Sequence, residues 1–508
     1  MYRAEDVEIQ KPAGAVKNPL RTAMLLSDAR IYWVLVLAFI WYAINGTANT
    51  PEFLLPVGCA LAAGGVAMAA AGYRWNSFVV ILAIAHIVAF PIGAWIILTL
   101  NTPSPWIEPD IWTTTPLGMW AMVLGMAGLA VGAILARVRL AAPRGDEPSP
   151  DDSLATPQAF NLALTLMVIP VVMIYLSLGI YYHKDAIGID QVDFANASDF
   201  GFVGYLMMLS YVGTVLQVRR YMLTRLPADR WAAIFAIVFP FVLLLPSGSR
   251  ATTFLGVAIA GLAFLAWESN PRVKSIILVG GAAAFLFLVP LMETYRLTAQ
   301  NEGDLSFTQR VQLAWRFTGP TDDVPEDPAA DLARGMLGRR LSDHHSVGYI
   351  IDVVPSVFPH HGSAGMTQYP LYIVPTLLRP AVTLDYNYDA QRMLDYGFRT
   401  DTGGSSPMML IGELYDRFAW HGIFLGMLLI GFLLARLDRV LSGGDVRSTI
   451  LWVLFLQGIV NIHTYSLLKI FTLATRQAAI FLVLAYLLDR AARAWPVSSP
   501  LGTPAIQT

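Results

Sequence analysis

Apolar runs of roughly membrane-spanning length alternate with short polar connections along most of the chain. A helix needs roughly 20 apolar residues to cross a bilayer, and the runs present here predict roughly twelve transmembrane spans. The predicted spans are 31–48, 53–72, 77–100, 116–137, 160–181, 200–218, 231–246, 251–268, 274–293, 417–436, 449–470 and 473–489. The pattern therefore predicts an all-α polytopic membrane protein.

Composition agrees with this fold class and excludes some partners. Hydrophobic residues make up 56% of the chain and charged residues 14%, whereas soluble domains carry about 25% charged residues. A net charge of −2 without a basic stripe gives no indication of a nucleic-acid partner. The single cysteine, Cys59, falls in a predicted span, so we expect no intramolecular disulfide.

The distribution of arginine and lysine predicts the orientation, because cytoplasmic loops are enriched in both. They occur after the second, fourth, sixth, eighth and tenth spans, whereas the intervening short connections contain only Lys184, Lys469 and the exception Arg250. We therefore predict that both termini are cytoplasmic and that the first span is retained rather than cleaved as a signal peptide. The resulting division is an N-terminal tail at 1–30, spans one to nine within 31–295, a periplasmic segment at 296–416, spans ten to twelve within 417–489 and a C-terminal tail at 490–508.

The periplasmic segment, 296–416, is by far the longest connection in the chain. Connections beyond about 12–15 residues are usually functional or disordered. Aromatic and aliphatic residues such as Trp315, Tyr349 and Tyr372 recur through it, which favours a folded segment. Its start, at 306–317, is amphipathic enough for a short interfacial helix.

Arginines at the predicted outer face are candidates for ligand binding. Arg250 lies in the tight hairpin PSGSR between the seventh and eighth spans, and Arg296 follows the ninth span. The 296–416 segment contains no lysine but adds Arg310, Arg316, Arg334, Arg339, Arg340, Arg379, Arg392 and Arg399. The planar guanidinium group suits bidentate recognition of phosphate. The structural alternatives are snorkelling to lipid phosphates and surface pairing with the acidic stretch at 322–331.

Histidines are concentrated in the same segment, which holds four of the eight in the chain: His344, His345, His360 and His361. A neutral imidazole, with a pKa near 6.5, can take a proton from an attacking hydroxyl. The alternative for each histidine is a packed or polar loop residue. Their spacing matches no metal-site motif, and we predict no metal.

Three charged residues, Glu413, Asp416 and Arg417, come just before the tenth predicted span. Glu413 is a further candidate base. Glu413 and Arg417 also have the i,i+4 spacing of an ion pair on a helix surface, which is the structural alternative. Glycines follow at Gly422, Gly426 and Gly431 and would allow close helix packing in lipid.

The motif PSGSR opening a span, the long external segment and then GELY…F…HGI…G leading into the next span together resemble the O-antigen polymerase family, the Wzy-type oligosaccharide repeat-unit polymerases. The likeness covers about residues 243–437. It implies a glycosyltransferase of the GT-C type in the bacterial inner membrane, with its active site facing the periplasm. Such an enzyme transfers a glycan from undecaprenyl diphosphate to a sugar hydroxyl of an acceptor repeat unit. The products of such reactions are O-antigen, capsule or exopolysaccharide.

The resemblance also implies roles for individual residues. Arg250 would bind the diphosphate, and the further diphosphate-binding candidates are Arg296, Arg316, Arg339, Arg340 and Arg379. The related O-antigen ligases use a histidine of their large loop as a proposed base, which implies His344 or His345 here. The implied partners are the lipid bilayer, the undecaprenyl-diphosphate-linked oligosaccharide, and a chain-length regulator and flippase of the same pathway. No cofactor is expected.

The chemistry of this reaction fits the residues available. A diphosphate is a good leaving group, so the site must neutralise its developing charge, remove a proton from the sugar hydroxyl and hold both substrates in line. In the metal-dependent branch of GT-C enzymes, the first external loop usually contains acidic residues. The corresponding loop here, near 46–52, offers only Glu52, which argues against that branch.

Two alternative functions stay open. An O-antigen ligase would use the same donor with lipid A core as acceptor. A flippase or transporter would bind the same diphosphate without chemistry. Transporters commonly contain two similar halves, and no such repeat is visible in the sequence.

Overall fold

The computed structural model describes residues 51–95, 111–138, 157–177, 200–244, 250–268, 270–281, 343–367, 388–397, 408–441 and 446–460, with single positions at 33, 36, 37, 309, 312, 467, 470, 477, 478 and 482. These residues form helices joined by turns and short loops, with no strand among them. The prediction of an all-α protein is confirmed.

The helices are numbered here in chain order. They are α1 (Pro51–Ala70), α2 (Phe78–Ile87, continuing through a π-helical turn at Val88–Ile92), α3 (Ile111–Val138), α4 (Pro157–Ser177), α5 (Phe200–Thr224), α6 (Pro227–Leu244), α7 (Arg250–Trp267), α8 (271–281), α9 (Asp343–Val353), α10 (Tyr388–Asp395), α11 (Leu410–Val440) and α12 (Val446–Val460).

Five of the described helices are long and apolar enough to cross a membrane: α1, α2 with its π-helical extension, α3, α6 and α11. The protein is therefore a helical membrane protein. Five further helices overlap other predicted spans: α4, α5, α7, α8 and α12. Most of the predicted spans 31–48 and 473–489 lies outside the described residues. The number of twelve spans and their orientation stay predictions.

Helix α3 packs against α1, α9 and α11 in the described bundle. A Cβ atom added at Gly128 or Gly132 of α3, or at Gly431 of α11, would overlap the backbone of the facing helix. Small residues allow helices in lipid to approach this closely. The predicted packing role of Gly431 is therefore confirmed.

Helix α9 belongs to the 296–416 segment, yet it is built into this bundle. It packs against α3 and α11, and its side chains of Val347 and Ile350 are fully buried. The backbones of α9 and α3 touch directly, since a Cβ at Gly118 would overlap the His344 carbonyl and one at Gly348 would overlap the Thr114 carbonyl. At least this part of the segment is thus a structural element of the membrane bundle.

We expect Gly348→Ala to destabilise the protein by about 1–3 kcal/mol, because the added methyl group overpacks the α9–α3 crossing. Thermal unfolding in detergent measures the change. Gly58→Ala is the matched control: no described atom lies within 4 Å of its Cβ position, so better helix propensity should leave stability equal or slightly higher. Equal effects of the two substitutions would contradict the direct backbone contact.

The far end of α11 is tied to α2 by a buried carboxylate. Asp438 accepts a 2.7 Å hydrogen bond from the Phe78 N–H and a 2.5 Å bond from the Ser77 hydroxyl. These bonds satisfy donors at the start of α2, which would otherwise lack partners. Helix α11 is therefore held at this end as well as along its contact with α3.

Candidate functional site

Helix α11 is interrupted near its beginning, at the site of the charged residues. Phe418 has φ −134° and ψ 17°, and Ala419 has φ 57° and ψ −155°, a backbone region that is nearly restricted to glycine. The chain bends so sharply that Cβ atoms at Gly422 and Gly426 would collide with Leu414. These two glycines accommodate the bend within α11, rather than the packing between helices that the sequence predicted for them.

The loop at 360–364 caps the carbonyl groups that the interruption exposes. The His361 N–H donates to the Asp416 carbonyl at 2.9 Å, and the Gly362 N–H donates to the Arg417 carbonyl at 3.0 Å. Carbonyls at a helix end need such external partners. Gly362 has φ +60°, the left-handed conformation that glycine adopts readily. The loop therefore stabilises the interrupted end of the helix.

Arg417 joins this loop to Glu413 within the helix. Its Nε donates to Glu413 Oε1 at 2.7 Å, and its Nη1 donates to the carbonyls of Gly362 at 3.1 Å and Ala364 at 2.9 Å. The second carboxylate oxygen of Glu413 accepts from the Leu467 N–H at 2.6 Å. The side chains of Arg417 and Glu413 are 1% and 0% exposed. The i,i+4 pair predicted from the sequence is present, but the prediction that it lies on the helix surface is wrong.

Asp416 forms a second buried ion pair beside the first. Its Oδ1 accepts hydrogen bonds from the Tyr396 hydroxyl and from Arg392 Nη2, the latter at 3.3 Å. The Arg392 guanidinium also lies 4.7 Å from the centroid of the Tyr396 ring. Burial and the neighbouring Asp416 carboxylate raise the pKa of the Tyr396 hydroxyl, which therefore stays protonated and donates. Helix α10 is attached to the interruption of α11 through this pair.

His361 is the partly exposed basic group of this cluster. Burial lowers the pKa of its imidazole, and the positive charges of Arg392 and Arg417 lower it further against the opposing carboxylates of Asp416 and Glu413. The ring is therefore neutral near pH 7, the state in which a histidine can accept a proton. The neighbouring His360 places Nδ1 3.1 Å from the Tyr415 carbonyl.

We refer to Glu413, Asp416, Arg417, Arg392, Tyr396 and His361 as the α11 cluster. It combines a neutral imidazole with two guanidinium groups and two carboxylates at an interrupted helix. Such a set can remove a proton and stabilise negative charge. Among the described residues, no group of three or more His, Cys, Asp or Glu is placed to hold a metal ion.

The structure places the other predicted bases elsewhere. His344 and His345 lie on α9 and are 0% and 1% exposed. His345 Nδ1 is hydrogen-bonded to the Thr114 hydroxyl of α3. Their assignment as bases stays a prediction, but burial at a helix crossing keeps them from direct contact with a substrate in this conformation. Glu413 belongs to the α11 cluster, although both of its carboxylate oxygens already accept hydrogen bonds.

The predicted diphosphate-binding arginines fall largely outside the described residues. Arg250 is the first residue of α7, and its side chain is not among those described. The other candidates, Arg296, Arg316, Arg339, Arg340 and Arg379, lie outside the described residues altogether. Of the described arginines of the cluster, Arg392 was a general candidate for ligand binding in the 296–416 segment, and neither Arg392 nor Arg417 was assigned to the diphosphate.

Sequence reasoning did not single out Tyr396, and it favoured His344 and His345 over His361 among the four histidines of the segment. The available signals were the density of arginine and histidine in the segment and the run Glu413, Asp416, Arg417. No local pattern indicates that α10 and the 360–364 loop meet on that run.

No protein-family model, curated protein or solved structure matches this chain. Its function is therefore inferred from its own residues.

Proposed function

We propose that the protein polymerises lipid-linked oligosaccharide repeat units. It would transfer a glycan from undecaprenyl diphosphate to a sugar hydroxyl of an acceptor repeat unit, at the periplasmic side of a bacterial inner membrane. The observation that carries the proposal is the α11 cluster, in which a neutral His361 lies beside the guanidinium groups of Arg392 and Arg417 at an interrupted helix.

Stability alone is a poor explanation for the cluster. Charged side chains are costly inside membrane proteins and usually mark functional cavities. A buried ion pair is often no more stabilising than apolar residues of the same volume. Here three members of two such pairs, Glu413, Asp416 and Arg417, lie within five consecutive helical positions. Irregular backbone at membrane depth is tolerated where it is buried in protein or lines a cavity. These properties favour a site that handles charged ligands.

The proposed reaction gives His361 and Arg392 of the cluster defined roles. His361 takes the proton of the acceptor hydroxyl as its oxygen bonds to the anomeric carbon of the donor glycan. The bond from that carbon to the diphosphate oxygen breaks, and the electron pair leaves with undecaprenyl diphosphate. Arg392, whose side chain is 16% exposed, is the described cation that could stabilise this charge. Arg250 and the predicted arginines of the 296–416 segment would bind the rest of the diphosphate.

The test is extension of a defined donor by purified protein in nanodiscs. Undecaprenyl-diphosphate-linked repeat units, supplied with a metal chelator, should yield a ladder of longer glycans. A single product formed only when lipid A core is added would instead identify a ligase. Movement of the donor across vesicles without any new glycosidic bond would identify a flippase. Either outcome would overturn the proposal.

We expect Arg250→Ala to lower the efficiency of extension by about 10- to 100-fold, the loss that corresponds to one charge-assisted hydrogen bond of about 1.5–3 kcal/mol. The effect should be larger on the KM for the donor than on kcat, because Arg250 is proposed to bind the ground-state diphosphate. Arg230→Ala is the matched control, since Arg230 is exposed near the start of α6 while Arg250 follows its end. Unchanged kinetics in Arg250→Ala would remove this residue from the site.

A further inference from the structure

We propose that Arg417 is a positioning residue, which holds the 360–364 loop and thereby the His361 ring against the interrupted end of α11. This inference rests on the proposed function, in which His361 is the base. Arg417 itself is 2% exposed, so it acts through the loop rather than by touching a substrate.

The first observation is that one guanidinium group makes three hydrogen bonds to two different segments. Nε is directed to Glu413 in the same helix, while Nη1 is directed to the carbonyls of Gly362 and Ala364 in the loop. A planar fork is needed to reach a carboxylate on one edge and two carbonyls on another. A lysine ammonium at this position could keep the charge but not this geometry.

The second observation is that hydrogen bonds between the 360–364 loop and the interrupted end of α11 are donated from both sides. The loop donates the N–H groups of His361 and Gly362 to carbonyls of Asp416 and Arg417, while the Arg417 side chain donates back to loop carbonyls. His361 is part of this reciprocal set of hydrogen bonds, because its own N–H donates to the Asp416 carbonyl. The main chain that carries the His361 imidazole is thus held by the helix end and by Arg417 together.

The third observation assigns Glu413 a part in the same arrangement. Its carboxylate fixes the direction of the Arg417 fork through Oε1 and is itself fixed through Oε2 by the Leu467 N–H. Glu413 is therefore an orienting partner of Arg417, which is a different role from the base predicted for it. The hydrogen bonds connect, in order, residue 467, Glu413, Arg417, the loop and His361.

The experiment compares wild type with Arg417→Lys by hydrogen exchange of the full-length protein in nanodiscs, read at the His361 and Gly362 amides. Exchange there should accelerate by at least about tenfold in Arg417→Lys, because the loop carbonyls lose their hydrogen bonds from the guanidinium group. In the extension assay, kcat should fall by about 100-fold, the scale expected for a misplaced catalytic group, with the KM for the donor nearly unchanged. Arg436→Lys, at a half-buried site on the other side of the interruption, is the control and should change neither measurement.

The outcomes separate the two proposals. Unchanged exchange at the two amides in Arg417→Lys overturns the positioning role, whatever the protein catalyses. If exchange accelerates in Arg417→Lys but the wild type never extends the donor, the structural role of Arg417 is kept and the polymerase function on which the inference rests is overturned. Should Arg417→Lys fail to fold, the double variant Glu413→Gln/Arg417→Gln removes both buried charges together, and unchanged exchange in that variant equally overturns the positioning role.

Discussion

Glutamine in place of His361 is expected to lower the rate of glycan extension by about 10²- to 10⁴-fold, the usual contribution of general base catalysis. Glutamine keeps a polar side chain but cannot accept a proton near neutral pH. The main-chain bonds of His361 to the helix end do not depend on its side chain, so the fold should be unaffected. Single-turnover extension at saturating donor measures the loss, and donor binding measured separately should stay at the wild-type value.

His344→Gln separates this prediction from the assignment implied by the resemblance. His344 is buried on α9, so its substitution should reduce stability more than the rate per folded molecule. A loss of rate as large as the one expected for His361, in folded protein, would identify His344 as the base and contradict the role of His361. Thermal unfolding of both variants distinguishes lost catalysis from lost protein.

The pH dependence gives an independent check on the same residue. Burial and the positive charges of Arg392 on α10 and Arg417 on α11 lower the pKa of His361 below the ordinary 6.5, against the opposing carboxylates of Asp416 and Glu413 on α11. Because the base must be neutral, wild-type kcat/KM should stay high until the pH falls below 6.5 and should then decline. Removing one positive charge in Arg417→Gln should move this decline to higher pH. A decline at the same pH in both proteins would argue against His361.

The sequence predicts the class of fold well because burial in lipid leaves a simple signal. Apolar runs of sufficient length mark the helices, and all described helices except α9 and α10 overlap these runs, although α11 begins at Leu410 rather than 417. That difference matters, because it places Glu413 and Asp416 inside the helix. Their polarity ended the apolar run early, and only contacts from elsewhere in the chain make burial of these charges possible.

The site was less predictable because its members are distant in sequence. The i,i+4 spacing of Glu413 and Arg417 indicates a pair, but not that Leu467 and Gly362 would bury it. Nothing local distinguishes the pair His344 and His345 from the pair His360 and His361, since tertiary packing alone decides which pair is buried. The interruption of α11 was also hidden, because the strained residue is Ala419, where glycine would have given a signal.

Glu413→Gln is expected to destabilise the protein by about 3–5 kcal/mol, the loss typical when one partner of a buried ion pair is removed. The amide can still accept a hydrogen bond, so the loss reports mainly the uncompensated charge of Arg417. Equilibrium unfolding in mixed micelles measures the free energy of unfolding. Replacing both residues, as in Glu413→Leu/Arg417→Met, should recover most of the loss, since no unpaired charge is left in the interior.

The ion pair between Arg225 and Glu268 provides the comparison for this effect. Its N–O distance of 3.1 Å resembles that of a good ion pair, but the Arg225 side chain is 47% exposed. Water can therefore solvate the charge that remains after substitution, and Glu268→Gln should lower the free energy of unfolding by no more than about 1 kcal/mol. Equal losses of unfolding free energy in Glu413→Gln and Glu268→Gln would mean that burial of the Glu413–Arg417 pair has no energetic consequence. That result would contradict the buried position of Arg417.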